Sequence, residues 1–210
     1  ADFSRASART AMADAIERRR KHLGQRLDLS TLAAHLPTGP DLSTRNPSHP
    51  EQVVAVVQSY QPADVAALTK IAGAAEESWT RRPVADRVAV IRKAASLMRD
   101  QRWDLAAWEV FEEGKPWREA DADVAEAIDF LEYYAGEMAR LDPPPRLGRY
   151  PGELNEVLWN SRGVTVVIAP WNFPLAIPTG MVAAALVAGN PVLFKPSERS
   201  SAMGYQLARI

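Results

Sequence analysis

The run Val164 to Ala169 constrains the fold of this chain most. Every residue in it is apolar or β-branched. A continuous run of that kind marks a strand buried on both faces of a parallel sheet. Parallel neighbours need a long crossover, usually a helix. Leu175 to Ala188 supplies one: it is largely apolar and is closed by Gly189-Asn190. Pro191 to Phe194 follows as a second short strand, and Ser200 is placed to cap a further helix reaching Ile210. The pattern is one βαβ unit with the start of a second crossover. Two parallel strands cannot fill both faces of a sheet or cover its edges, so the chain is expected to end inside a domain.

Upstream, the apolar spacing is helical. Val65, Leu68, Ala72, Ala75 and Trp79 recur at intervals of three and four, with Asp64 as N-cap. Val84, Val88, Ile91, Ala95 and Met98 make a second stripe, with Arg87, Arg92, Lys93 and Arg99 placed mostly off it. Leu105, Trp108 and Phe111 open a third helix that Gly114 stops. Val124, Ile128, Leu131, Ala135 and Met138 mark a fourth, to about Leu141. Pro143-Pro144-Pro145 breaks the pattern. Glu153 to Trp159 is extended, and either pairs with the strand after it or projects as a hairpin. Before the helices, Thr10 to Arg26 reads as a charged helix. Leu36 to Pro50 reads as a loop or extended arm, and Val53 to Tyr60 as a short strand.

The expected fold is therefore α/β: an N-terminal helical block plus the first βαβ unit of an incomplete Rossmann-like parallel sheet. Residues 1–52 form an N-terminal helix and arm. Residues 53–210 form an incomplete parallel-sheet domain, with the helical block at 62–141, the extended arm at 150–160 and the βαβ unit at 163–210.

Composition excludes several functions. Lys and Arg number 25 against 26 Asp and Glu, which leaves no basic footprint for nucleic acid or an acidic membrane. No run is long and apolar enough to span a bilayer, and no signal peptide opens the chain, so the expected location is cytoplasmic. The chain begins with Ala, the mark of a processed, cloned or excised segment. With no cysteine, these residues hold no disulfide, thiolate metal site or thiol nucleophile. His22, His35 and His49 lack metal-ligand spacing and read as surface or loop residues. The run Glu17 to Lys21 is a binding patch or, more simply, a solvated helix face.

Ligands of open parallel sheets sit beyond the carboxyl ends of the strands. The first strand delivers Pro170-Trp171-Asn172-Phe173-Pro174 to that edge, and the second delivers Lys195-Pro196-Ser197-Glu198. Lys195 and Glu198 are able to hydrogen-bond sugar hydroxyls, and a carboxylate there repels a 2′-phosphate. Asn172 is a neutral amide donor of the type that stabilises an oxyanion. The same residues also read as a turn Asn and two solvated charges, and no G-x-G-x-x-G follows the first strand. Residue types alone leave a nucleotide site open.

The paired blocks Gly163 to Pro174 and Gly189 to Glu198 strongly resemble the aldehyde dehydrogenase superfamily in residues and spacing. Arg45-Asn46-Pro47, the helix around Arg87 to Met98, and Glu113-Gly114-Lys115-Pro116 resemble its N-terminal half. Ala122 to Ala135, Tyr150 to Glu153 and the charged first helix resemble its 1-pyrroline-5-carboxylate dehydrogenase group.

The resemblance implies Asn172 as the oxyanion-hole amide, and Ile168, Ala169, Pro170 and Trp171 as lining of the cofactor cleft. It implies Lys195 and Glu198 on the adenosine ribose, Phe173 against the aldehyde's aliphatic chain, and Glu126 at the mouth of the substrate tunnel. It implies NAD rather than NADP, with no tight binding by this chain alone, no metal, a small aldehyde as substrate and a homo-oligomer when intact. The family's nucleophilic cysteine, general-base glutamate and glycine-rich turn would all lie beyond Ile210. Leu27 to Ser43 departs from the family's usual first strand pair, which leaves the early sheet open.

The expected function is thus the N-terminal part of an NAD-dependent enzyme oxidising glutamate 5-semialdehyde to glutamate in proline catabolism, inactive by itself. The alternatives are a short non-catalytic paralogue that binds a partner or regulates, and an aldehyde dehydrogenase of another substrate class.

Overall fold

The computed structural model describes residues 1–32 and 35–210. Helix α1 (Ala6–Arg20) packs Met12, Ala15 and Ile16 inward. It starts and ends earlier than its charge pattern predicts, because the chain turns after Arg20 and enters a short strand, β1 (Gln25–Arg26). Strands β2 (Asp41–Asn46) and β3 (His49–Gln58) complete a sheet of order β1-β3-β2. In it β1 runs parallel and β2 antiparallel to β3.

The segment expected as a loop or arm is therefore partly strand. Its polar residues mislead, because Thr44 and Asn46 are buried while their neighbours face solvent. Backbone pairing with the apolar Val53 to Val57 holds the strand in place. The early sheet exists despite the departure of Leu27 to Ser43, and β3 runs across the expected boundary at residue 52.

Four helices follow: α2 (Val65–Thr80), α3 (Val84–Asp100), α4 (Arg102–Glu112) and α5 (Trp117–Leu141). All four lie where the apolar spacing places them, but on α2 only Ala72 of the expected stripe is buried, and Val65 and Ala75 are exposed. Val88, Ile91, Ala95 and Met98 on α3 meet the stripe of α5, where Val124, Ile128, Leu131 and Ala135 are buried. Truncating a buried side chain such as Leu131 to Ala costs about 2–5 kcal/mol.

Two expected roles change. Asp64 does not cap α2; its carboxylate reaches back to the Gln61 amide at 2.8 Å and closes the turn that precedes the helix. Arg87 does not lie off the stripe. It is 6% exposed, at the spacing of Val84 and Ile91, because its guanidinium has carbonyls to bind: Val187 O at 2.9 Å, Thr80 O at 3.2 Å and Arg82 O.

After the prolines, the segment around Glu153 to Trp159 pairs backwards, not forwards. Leu147 N donates to Asn155 O at 2.8 Å and Val157 N to Pro145 O at 3.2 Å, with Arg146 antiparallel to Glu156. The resulting hairpin exposes Leu147, Tyr150, Leu154, Leu158 and Trp159.

The βαβ unit then forms as predicted. Strand β4 (Thr165–Ile168) pairs in parallel with β5 (Val192–Lys195) across helix α6 (Ala176–Val187), and helix α7 (Ser201–Arg209) follows. Gly189, at φ +93°, takes the left-handed turn that ends α6.

The expectation that β4 is buried on both faces fails among these residues. Val167 is 2% exposed, but Val166 and Ile168 are 59% and 64% exposed. Side chains alternate across a strand, and only the face toward α6 is packed. Ser200 also makes no side-chain cap on α7. The cap comes from the Glu112 carboxylate, which accepts from Ala202 N and Met203 N, each at 2.8 Å.

Candidate active site

Parallel pairing sets the site. Ile168 is the register partner of Lys195, and Ala169 N donates to Lys195 O at 3.3 Å. The loops that leave the two strands therefore start side by side. They also touch further out, where the Arg199 guanidinium lies 5.7 Å from the centroid of the Trp171 ring.

The first loop is anchored at its root and open at its tip. Ala169, Pro174 and Leu175 are buried, while Pro170, Trp171, Asn172 and Phe173 are exposed. The root is held by α5. Asp123 Oδ1 accepts from Ala176 N at 3.0 Å, and Asp123 Oδ2 accepts from Leu175 N at 3.5 Å. A carboxylate on the first amides of a helix meets both their unsatisfied N–H groups and the positive end of the helix dipole.

Beside it, Lys115 Nζ lies 2.7 Å from Asp123 Oδ2, 2.9 Å from Glu109 Oε2 and 5.0 Å from the centroid of the Phe173 ring. Burial, and next the Asp123 charge, push the Glu109 carboxyl well above the ordinary range. Burial opposes the Lys115 charge, but Glu109 and Asp123 outweigh it and hold the ammonium up.

The second loop is open. Lys195 and Glu198 are exposed, and Lys195 Nζ donates to Pro196 O at 2.9 Å. The loop is braced by α7, where Gly204 faces Pro196 so closely that an added Cβ would sit 2.5 Å from that ring.

Of the residues singled out in the sequence, the fold gathers Ile168, Ala169, Pro170, Trp171, Asn172, Phe173, Lys195 and Glu198 at one edge. Glu126 is exposed on α5, one turn from Asp123. The histidines lie elsewhere: His22 meets Arg18 O and His35 meets Asp64. Among the described residues, no group of three or more His, Cys, Asp or Glu is arranged to hold a metal ion.

Sequence reasoning missed Glu109, Glu112 and Asp123, and with them Lys115 as a site residue. One signal was present: Glu109 and Glu112 fall on the apolar spacing of Leu105 and Trp108, and Asp123 on that of Ala120 and Ala127. Acids on a buried stripe need partners.

The aldehyde dehydrogenase family model matches residues 37–210. This chain belongs to the aldehyde dehydrogenase family.

Among curated relatives, it is 37% identical over 209 residues to the 1-pyrroline-5-carboxylate dehydrogenase of Geobacillus thermodenitrificans (strain NG80-2), covering 100% of this chain and 41% of that protein. The enzyme of the same name from Bacillus subtilis (strain 168) is 32% identical over the same shares. Among solved structures, the Thermus 1-pyrroline-5-carboxylate dehydrogenase with bound NAD superposes with a TM-score of 0.94 at 40% identity, covering 100% of this chain and 41% of that one. Proline utilization A from Bdellovibrio bacteriovorus gives 0.96 at 40% identity, covering 100% of this chain and 22% of that one. The chain spans 41% of the length of the curated relatives it matches. No helix among the described residues is long and apolar enough to cross a membrane.

Proposed function

We propose that this aldehyde dehydrogenase chain is the N-terminal part of an NAD-dependent enzyme that oxidises glutamate 5-semialdehyde to glutamate. The single observation that carries the reading is the side-by-side placement of the Asn172 loop and the Lys195 edge, fixed by the Ile168–Lys195 register.

The residues fit a dinucleotide. Val166 and Ile168 offer an open apolar strip, Trp171 a half-exposed ring, and Lys195 and Glu198 polar groups suited to ribose hydroxyls. Ile168, Ala169, Pro170 and Trp171 would line the cleft, and Lys195 and Glu198 would hold the adenosine ribose. When bound, NAD supplies the hydride acceptor.

Asn172 donates its amide N–H to the aldehyde oxygen as that oxygen gains negative charge. A neutral donor fixed by its loop strengthens as the charge develops, and one such donor is worth about 3 kcal/mol of barrier. Phe173 packs on the aliphatic part of the substrate, and Glu126 guards its entry. These 210 residues contain no cysteine, so the nucleophile comes from elsewhere in the intact enzyme and the chain alone is inactive. Intact, the enzyme assembles as a homo-oligomer.

The test is NADH production by the full-length protein with glutamate 5-semialdehyde. Asn172→Ala is expected to lower kcat about 100- to 1000-fold. Turnover at the wild-type rate in that variant would remove Asn172 from the chemistry. Preference for an unrelated aldehyde would replace the substrate.

A further inference from the structure

The helix behind Asn172 is capped from outside its own segment. Leu175, the residue at the N-cap of α6, has no side-chain acceptor to offer the helix amides. The nearest local polar group is Asn172. Asn172 lies three residues before that N-cap, outside the capping position. Here Asp123, from α5, already accepts from Leu175 N and Ala176 N. The root of the loop is thus fixed by α5, while Asn172 stays exposed at its tip.

Asp123 is in turn fixed. It is 1% exposed, and its Oδ2 accepts from Lys115 Nζ at 2.7 Å. The same ammonium lies under Phe173, the residue next to Asn172. Glu109 is fully buried beside the same ammonium, with its Oε2 2.9 Å from Lys115 Nζ. Of the two acids on the ammonium, Asp123 is the one that also accepts from the helix amides.

One pair thus touches the Asn172 loop twice: through the Phe173 ring on its open side and through the Leu175 and Ala176 amides at its root. An oxyanion donor works only if it is held to within tenths of an ångström of its target.

We propose that Lys115 and Asp123 form a positioning pair for Asn172, locking the loop that carries it at its root and beneath Phe173. The pair acts through Asn172 and does not touch substrate. The inference rests on Asn172 being the oxyanion donor.

The experiment is a double-mutant cycle in the full-length protein, read by steady-state kinetics. Asp123→Ala and Lys115→Met are each made with Asn172 present and in the Asn172→Ala background. With Asn172 present, each is expected to lower kcat about 10- to 100-fold, the loss typical of a misplaced group, with KM for NAD little changed. In the Asn172→Ala background the same changes are expected to cost less than about threefold, because the group they position is gone. Lys115→Arg, which keeps the ion pair, is expected to recover most of the rate.

Equal losses in both backgrounds would overturn the proposal, as would full activity of both single variants. If Asp123→Ala does not fold, Lys115→Met decides the question, since it leaves the carboxylate on the helix amides. The two readings fail differently. An inert Asn172→Ala removes the oxyanion assignment, whereas a damaging Asn172→Ala with additive Asp123 and Lys115 losses removes only the positioning pair.

Discussion

The carboxylate of Glu112 accepts a hydrogen bond from the backbone N–H of Met203 at 2.8 Å, joining α4 to the first turn of a helix 91 residues later. Ala202 N donates to the other oxygen. The group is fully enclosed, and burial pushes its pKa up to about 7 although both amides favour the charged form. An acid that binds its proton more tightly folded than unfolded contributes most stability below its unfolded pKa of about 4.5. That contribution is lost as pH rises toward about 7. Its size is about 3 kcal/mol.

Glu112→Gln removes the titration and keeps an acceptor for one amide. Relative to wild type, the variant is expected to gain about 3 kcal/mol on going from about pH 4.5 to about pH 8. Urea midpoints at both pH values measure this. A difference between the two proteins that does not change with pH would show that folding does not shift the Glu112 pKa.

Arg87 makes a second long-range tie, and its loss should be costly. Its guanidinium serves the carbonyls of Val187, Thr80 and Arg82, with Gly189 packed against it. Arg87→Met strands those acceptors and is expected to destabilise the protein by about 2 kcal/mol or more. Arg87→Lys keeps the charge but not the planar fork, so it should recover only part of that. Chemical denaturation of both variants is the check, and a wild-type midpoint for Arg87→Met would count against the tie.

These two ties show where sequence reading stops. The helices α2 to α5 were legible because their apolar residues repeat at helical spacing, and the βαβ unit because Val164 to Ala169 and Pro191 to Phe194 flank an apolar crossover. The site edge was legible for the same reason: parallel strands must release their loops on one side. What was not legible depends on partners far along the chain. Nothing near Ser200 says that Glu112 will take over its capping role, and nothing near Leu175 says that Asp123 will cap α6. Strand β2 was hidden differently, since its hold is backbone pairing and its buried residues, Thr44 and Asn46, are polar.

Gly204 ties packing to the ligand edge. A methyl group there would lie 2.5 Å from Cβ and Cγ of Pro196, closer than real contacts allow. Gly204→Ala must therefore push α7 away from the Lys195 to Glu198 loop. The expected stability loss is about 1–3 kcal/mol, as for other overpacked sites. NAD affinity of the full-length protein should fall severalfold, measured by titration under conditions where the variant is folded. Unchanged affinity would mean that this loop does not set the cofactor's position.

The choice between NAD and NADP falls on Glu198 in the proposed site. Glu198 is exposed on the same loop as Lys195, beyond the strand edge. A carboxylate at the adenosine ribose accepts from hydroxyls but faces a 2′-phosphate with like charge, and rejecting a competitor by repulsion is an efficient route to specificity. Glu198→Gln keeps the size and one acceptor while removing the charge. The ratio of kcat/KM for NADP to that for NAD is expected to rise about tenfold, equivalent to about 1.4 kcal/mol of relieved repulsion. Lys195→Met should weaken both cofactors, and NADP more, since the only nearby basic partner for the extra phosphate on this loop besides Arg199 is lost. If Glu198→Gln leaves the ratio where it was, the ribose lies elsewhere and discrimination comes from residues outside this edge.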